Sequence, residues 1–231
     1  MLVELVRHIA RSTLRSEWEQ LRARIQKECE LIGSRPDMTP SAIAQRLLVS
    51  AEDHRHGRHP GFDVRAILRA IWRRITSGRR EGASTIEQQI VRVLTGRYER
   101  SFARKIREIL LASLVAESFP KAVHPALYLR IGYFGWRMNS FNQACRRLGL
   151  SPTLLSLNDA AALVARLKYP EPHLPSERRL KQIHRRRDHL KELYSRHLGD
   201  ETYDHIATTS ASDALRDGVG AVITRGAVPA T

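Results

Sequence analysis

Ser50-Ala-Glu-Asp-His-Arg-His-Gly-Arg-His-Pro-Gly-Phe-Asp63 closes an apolar run with two acids, Glu52 and Asp53, and surrounds them with three histidines and two arginines. Upstream, Thr39-Pro40 supplies a capping side chain and a proline at the first helical position. The helix it starts carries Ile43, Leu47 and Leu48 and delivers Glu52 at or just past its end. Downstream, Pro60-Gly61 makes a turn and Asp63 caps a second helix. The apolar face of that helix is Ile67, Leu68, Ile71 and Ile75, and Gly78 closes it. The simplest reading of the acid block is a helix end whose carboxylates pair with nearby Arg and His, an arrangement that contributes little at a surface. The blocks downstream favour a chemical reading.

Outward from this stretch the chain is helical throughout. Residues 2–32 read as one long amphipathic helix, with Leu14, Trp18, Leu21, Ile25 and Ile32 at helical spacing and Gly33 and Pro36 at its end. This helix either lies on an anionic membrane or packs on the main domain. Ser84-Thr-Ile-Glu87 reads as a capping box, in which Ser84 reaches the amide three residues on and Glu87 reaches back. The helix it opens holds Gln88, Gln89 and Arg92 and stops at Gly96. A basic helix follows from about 101 to 118, with Arg104, Lys105 and Glu108 in its first half. Further helices are expected from Pro125, from Asn139 or Ser140 to Gly149, over 159–167 with Asn158 as cap, and over about 176–197. No strand-like alternation of useful length occurs, so the fold class is all-α. The domain plan is an N-terminal amphipathic helix over 1–36, a main domain over 37–198 and a weakly ordered tail over 199–231.

The net charge is +15 over 231 residues, mostly from arginine, which calls for an anionic partner. Arginine suits phosphate, since its planar fork donates two bonds at once. Nucleic acid is disfavoured as that partner, because no recognition motif accompanies the charge. Cys29 and Cys145 have no neighbours at metal-ligand spacing, so neither a disulfide framework nor a zinc site is expected. No apolar run reaches the ~18–20 residues of a membrane span, and no signal peptide is visible.

Four blocks together resemble the peptidoglycan glycosyltransferase domain (glycosyltransferase family 51), the transglycosylase module of class A penicillin-binding proteins. They are Glu52-Asp-x-x-x-x-x-His59-x-Gly61-x-Asp63, Gly82-x-Ser84-Thr-Ile-x-Gln88-Gln89, Arg104-Lys105-x-x-Glu108 and Tyr128-Leu-x-x-x-Tyr-Phe-Gly135. A weaker match is Asn158-Asp-Ala-Ala-Ala-Leu-Val-Ala165. The resemblance implies a lysozyme-like, two-lobed helical domain with a central cleft. It implies polymerisation of lipid II into glycan strands, with inversion and release of undecaprenyl diphosphate. Glu52 is then the general base and Glu108 the second carboxylate of the site. Outside the resemblance, Glu108 is only the i,i+4 partner of Arg104, worth ~0.2–0.5 kcal/mol on an exposed helix. Asp53, Ser84, Gln88, Gln89, Arg92, Arg100, Arg104 and Lys105 are the expected substrate-binding residues, with Arg104 and Lys105 on the diphosphate. Asp53 is also expected to order the loop, Ser84 to cap its helix, and His59 to be structural.

No cofactor is required on this reading, no residue is assigned to metal, and a divalent metal is possible without being indicated. The partners implied are lipid II, the nascent glycan and an anionic membrane surface. The place of work implied is the outer face of the cytoplasmic membrane. The chain departs from the family pattern at His56 (usually aromatic), Ala83 (Gly), Glu87 (Thr), Ala126 (Glu) and Arg130 (Asn). These departures keep a second reading in play: a non-catalytic module of the same fold that grips lipid-linked diphosphate or glycan.

Overall fold

The computed structural model describes residues 1–78 and 82–206. Among them are ten α-helices: α1 (Leu2–Thr13), α2 (Arg15–Ser34), α3 (Ala42–Glu52), α4 (Val64–Ser77), α5 (Ile86–Thr95), α6 (Phe102–Ser118), α7 (His124–Ile131), α8 (Phe141–Leu148), α9 (Leu157–Lys168) and α10 (Glu177–His197). The described residues form no β-strand, only two isolated bridges at Gly135. The domain is all-α and lysozyme-like, as the sequence blocks imply.

The core is built around α3. Its Leu47, Leu48 and Val49 are fully buried, and α7, α9 and α10 pack against it. Each such aliphatic side chain contributes about 1.5–3 kcal/mol by leaving water. Ala160, Ala161 and Ala165 are fully buried on α9, and their small size lets α9 lie close to α3 and α10. Both cysteines are buried free thiols. Local signals set most helix ends. Asp63 accepts from the amides of Arg65 and Ala66. Ser101, Ser140 and Ser176 cap α6, α8 and α10. Gly78, Gly96 and Gly149 close α4, α5 and α8 in the left-handed conformation that glycine adopts without strain.

Four local expectations are corrected. The N-terminal helix is two helices, broken at Leu14. Ser12 and Thr13 both turn their hydroxyls onto the Ile9 carbonyl, and such side-chain bonds compete with the helical ladder. The apolar face of α2 (Leu21, Ile25, Cys29, Ile32) is core, the packing alternative, and α3 begins after Ser41 rather than at the expected Thr39-Pro40 start. The cap of α9 is Ser156, not Asn158. The segment after α10 turns back at once: residues 201–203 form a single 3₁₀ turn, Tyr203 and Ile206 are buried, and the Tyr203 hydroxyl bonds Ser50 Oγ. The remainder of the expected tail, 207–231, lies outside the described residues.

The largest departure is α4. Its apolar stripe does not join the core, and none of its residues is buried. Leu68 is 61 % exposed, Ile71 51 %, Trp72 66 % and Ile75 76 %. This helix stands out from the body of the domain next to the acid block.

Candidate active site

Glu52 is the last residue of α3, and Asp53 leaves the helix after it. Asp53 is buried and fully used. Its carboxylate accepts from His59 Nε2 at 3.0 and 2.9 Å and from the Ile86 amide at 3.2 Å. It therefore ties the end of α3 to the His59 loop and to the start of α5. His59 Nδ1 in turn accepts from the Gly61 amide. Gly61 must be glycine: its φ is +94°, and a Cβ there would fall on the Ala112 carbonyl of α6. The loop is thus clamped to α6 at one end and to α5 at the other. Asp53 belongs to the scaffold that aims Glu52, as the loop-ordering expectation has it.

Glu52 keeps about a fifth of its side chain exposed. It lines a groove with Asp53, Asp63, Arg69, Ser84 and Thr85. Burial among protein atoms raises its proton affinity above the ordinary glutamate value, and Arg186 and Lys168 oppose that rise. Arg186 Nη2 lies 3.5 Å from Glu52 Oε1 and donates to the Ala51 carbonyl at 2.9 Å. Sequence reading missed Arg186. It is one of many basic residues on α10, and nothing local distinguishes it. The Tyr128 hydroxyl is likewise pushed up by burial and by the Glu52 charge, with Arg92 pulling the other way. Tyr128 thus stands within the electrostatic reach of both the acid block and the basic helix α6's partner, α5.

The second group of residues forms one connected network. Glu108 is buried on α6, 3 % exposed, and faces three cations. Arg92 grips it with two bonds, Nε to Oε1 at 2.7 Å and Nη2 to Oε2 at 3.0 Å. Arg104 donates to Oε1 from one turn earlier, and Lys105 Nζ lies 3.8 Å from Oε2. The exposed i,i+4 pair that the sequence also allowed is not what forms. Removing one partner of a buried, fully paired charge costs about 3–5 kcal/mol, since it strands the other. Glu108 therefore holds its cations in place. Gln89 Oε1 accepts from Arg92 Nη1.

Lys105 links this network to the groove. Its Nζ donates to Ser84 Oγ at 3.0 Å and to Gln88 Oε1 at 2.5 Å. Burial pushes its pKa down to about 8, with Glu108 opposing. The capping-box expectation fails here. Thr85, not Ser84, is the cap of α5: it accepts from the Gln88 amide and donates to the Gly61 carbonyl at 2.7 Å. Ser84 is thereby left to Lys105. Gln88 Nε2 is buried without a hydrogen-bond partner. Arg100 lies exposed on the loop between α5 and α6. So Ser84, Gln88, Gln89, Arg92, Arg104, Lys105 and Glu108 come together, and the groove joins Ser84 to Glu52.

Glu87 does not reach back to a capping position. It is fully buried and faces His56, His124 and Lys121. Burial works to raise its proton affinity, but those three groups outweigh burial and hold its carboxyl well below the ordinary range. Two buried groups with metal-ligand proximity result, His56–Glu87–His124 and Asp53–His59–Glu87. Neither was visible in the sequence, because their members are far apart in the chain. Arg130, which replaces the family's Asn, pairs with Glu28 of α2 at 2.6 Å, and Ala126 is fully buried.

The all-α, lysozyme-like domain thus carries Glu52 and Ser84 on one groove, with the Arg92–Arg104–Lys105–Glu108 network joined to it through Ser84. The chain belongs to the transglycosylase family, whose profile matches residues 23–194. Among its relatives, penicillin-binding protein 1A of Rickettsia felis is 31 % identical over 163 residues, which is 65 % of this chain and 20 % of the relative. Penicillin-binding protein 1A of Neisseria gonorrhoeae is 33 % identical over 151 residues, 64 % of this chain and 18 % of the relative. The chain therefore spans about a fifth of the length of these relatives.

The Glu52 environment generates a direct titration test. Burial raises the pKa and Arg186 lowers it, so Arg186→Gln must move the Glu52 midpoint further up. We expect Glu52 to titrate above the ordinary glutamate value of 4.5 in the parent and higher still in Arg186→Gln, read by carbon-detected NMR of the side-chain carboxyl. A midpoint that does not rise in the variant would show that Arg186 is not the opposing charge.

Proposed function

We propose that this domain is a peptidoglycan glycosyltransferase that polymerises lipid II into glycan strands and releases undecaprenyl diphosphate. The observation that carries the reading is the placement of Glu52: a carboxylate of raised proton affinity on the groove that leads to Ser84 and Lys105. An acceptor sugar hydroxyl is a poor nucleophile, and a carboxylate within hydrogen-bond reach can take its proton as the new bond forms. The hydroxyl oxygen attacks the anomeric carbon while the bond from that carbon to the diphosphate breaks on the opposite face. One such displacement inverts the centre. The electron pair leaves with the diphosphate, which needs positive charge more than a proton. Lys105, Arg104 and Arg92 supply that charge, braced by Glu108, and each charge-assisted bond contributes about 1.5–3 kcal/mol.

The amphipathic α4 fits a lipid-linked substrate. Its Leu68, Ile71, Trp72 and Ile75 form one exposed stripe, and Arg65 and Arg74 flank it. A helix of this type lies in the interface of an anionic bilayer with its apolar face down. That would bring the groove to the headgroup level on the outer face of the cytoplasmic membrane. No helix among the described residues is long and apolar enough to cross a bilayer.

Three outcomes test this reading. Purified protein should polymerise lipid II in detergent, and Glu52→Gln should lower the rate about 10²–10⁴-fold with unchanged circular dichroism. Lipid II binding without turnover in the parent would instead support the non-catalytic module, and parent-level turnover in Glu52→Gln would remove Glu52 as the base. Lys105 carries its charge below its pKa of about 8 and loses it above. Affinity for lipid II should therefore fall as pH rises through about 8, and Lys105→Arg should abolish that fall. An identical alkaline limb in the variant would exclude Lys105 as its origin. Finally, Leu68→Asp with Trp72→Asp should weaken binding to phosphatidylglycerol vesicles about tenfold or more without loss of helix content. Unchanged vesicle binding would detach α4 from the membrane.

A further inference from the structure

Behind the groove, four segments meet at one buried point that the transfer chemistry does not use. His56 comes from the loop after α3, Glu87 from α5 and His124 from the start of α7; all three are fully buried. His205, from the segment after α10, caps the group: its Nε2 lies 2.7 Å from His56 Nδ1. His56 Nε2 and His124 Nδ1 each lie 3.1 Å from Glu87 Oε1. The three donor atoms lie within 4.8 Å of one another.

We propose that His56 Nε2, Glu87 and His124 Nδ1 form a buried binding site for one divalent transition-metal ion, zinc foremost, which fastens the Glu52 loop to α5 and α7. Four features of the geometry carry this. Two imidazoles and a carboxylate are the donor set that zinc takes. At metal–ligand distances of ~2.0–2.2 Å, neighbouring ligands in a tetrahedron stand about 3.3 Å apart, close to the spacing found here. Glu87 Oε2 and His56 Nε2 are buried with no hydrogen-bond partner, so the cluster is not closed by its own bonds. For His56 to ligate through Nε2, its proton must sit on Nδ1 and point at His205 Nε2, which is where an outer partner of a metal-bound histidine stands.

Lys121 is the stand-in for the ion. Its ammonium contacts Glu87 Oε1, and its side chain keeps 19 % exposure, enough to swing outward when a metal enters. A histidine ligates as the neutral imidazole, through Nδ1 in the case of His124. Glu87 Oε2 or a water completes the fourth position. The site is structural in consequence. It lies one residue from Gln88 and shares Glu87 with the Asp53–His59 pair that aims Glu52.

The test uses the full chain stripped with chelator and dialysed. Cobalt(II) added to the parent should give the visible bands of a tetrahedral site at one equivalent. Zinc at a hundredfold excess over its dissociation constant should raise the melting temperature by about 5 °C or more. Glu87→Gln and His56→Phe should lose both signals, while His189→Gln, on the exposed face of α10, should keep them. His205→Ala should weaken zinc binding about 10–100-fold. Lys121→Met, which removes the competing ammonium, should tighten it. The folded state of each variant is checked by circular dichroism without metal. No cobalt bands in the parent or in Lys121→Met would overturn the proposal and leave a closed His–Glu–Lys network. So would bands that survive in Glu87→Gln. Neither result depends on whether the protein polymerises lipid II.

Discussion

The Asp53 carboxylate is the tie on which the site depends. It is buried, and it accepts from His59 of the following loop and from the first amide of α5. A buried carboxylate is tolerable only when hydrogen bonds replace its lost hydration. Here those bonds come from two different segments, so satisfying one charge fixes three pieces of chain. Glu52, the adjacent residue, inherits its position from that constraint. Ser84 and Gln88 inherit theirs from the other end of the same tie, because the start of α5 is held where Asp53 needs it.

The basic composition serves two ends. Some of the cations are spent inside the structure: Arg92, Arg104 and Lys105 converge on Glu108, and Arg186 reaches the end of α3. Packing three cations side by side is unfavourable unless an anion lies among them, and Glu108 is that anion. The network therefore holds positive charge beside Ser84 at a cost that Glu108 offsets. The rest of the charge lies at the surface, where Arg65 and Arg74 flank the exposed apolar stripe of α4.

Two of the departures from the family pattern come together in space. His56 and Glu87 meet each other in the core, together with His124 and Lys121. A histidine in place of an aromatic residue would strand a polar ring in the core, and a glutamate in place of threonine would strand a charge. Placed together, each supplies the other's partner. Arg130 finds Glu28 in the same way on α2.

Local structure was legible in the sequence because its causes are local. Asp63 and Ser140 cap their helices, and Gly78, Gly96 and Gly149 end theirs, since a cap needs only the amides or carbonyls of its own turn. The all-α class and the grouping of Ser84, Gln88, Arg104, Lys105 and Glu108 were legible too, through periodicity and through blocks at family spacing. What only the tertiary structure decided are the partners across the chain. Ser84 yields the cap to Thr85 because Thr85 can also reach Gly61, and Lys105 claims the hydroxyl so released. Glu87 turns inward because three basic groups from distant segments await it. Arg186 matters among its many basic neighbours because α10 lies against the end of α3. The stripe on α4 is legible as an apolar face and is exposed, since periodicity reports that a helix has such a face, while burial depends on whether another element arrives to cover it.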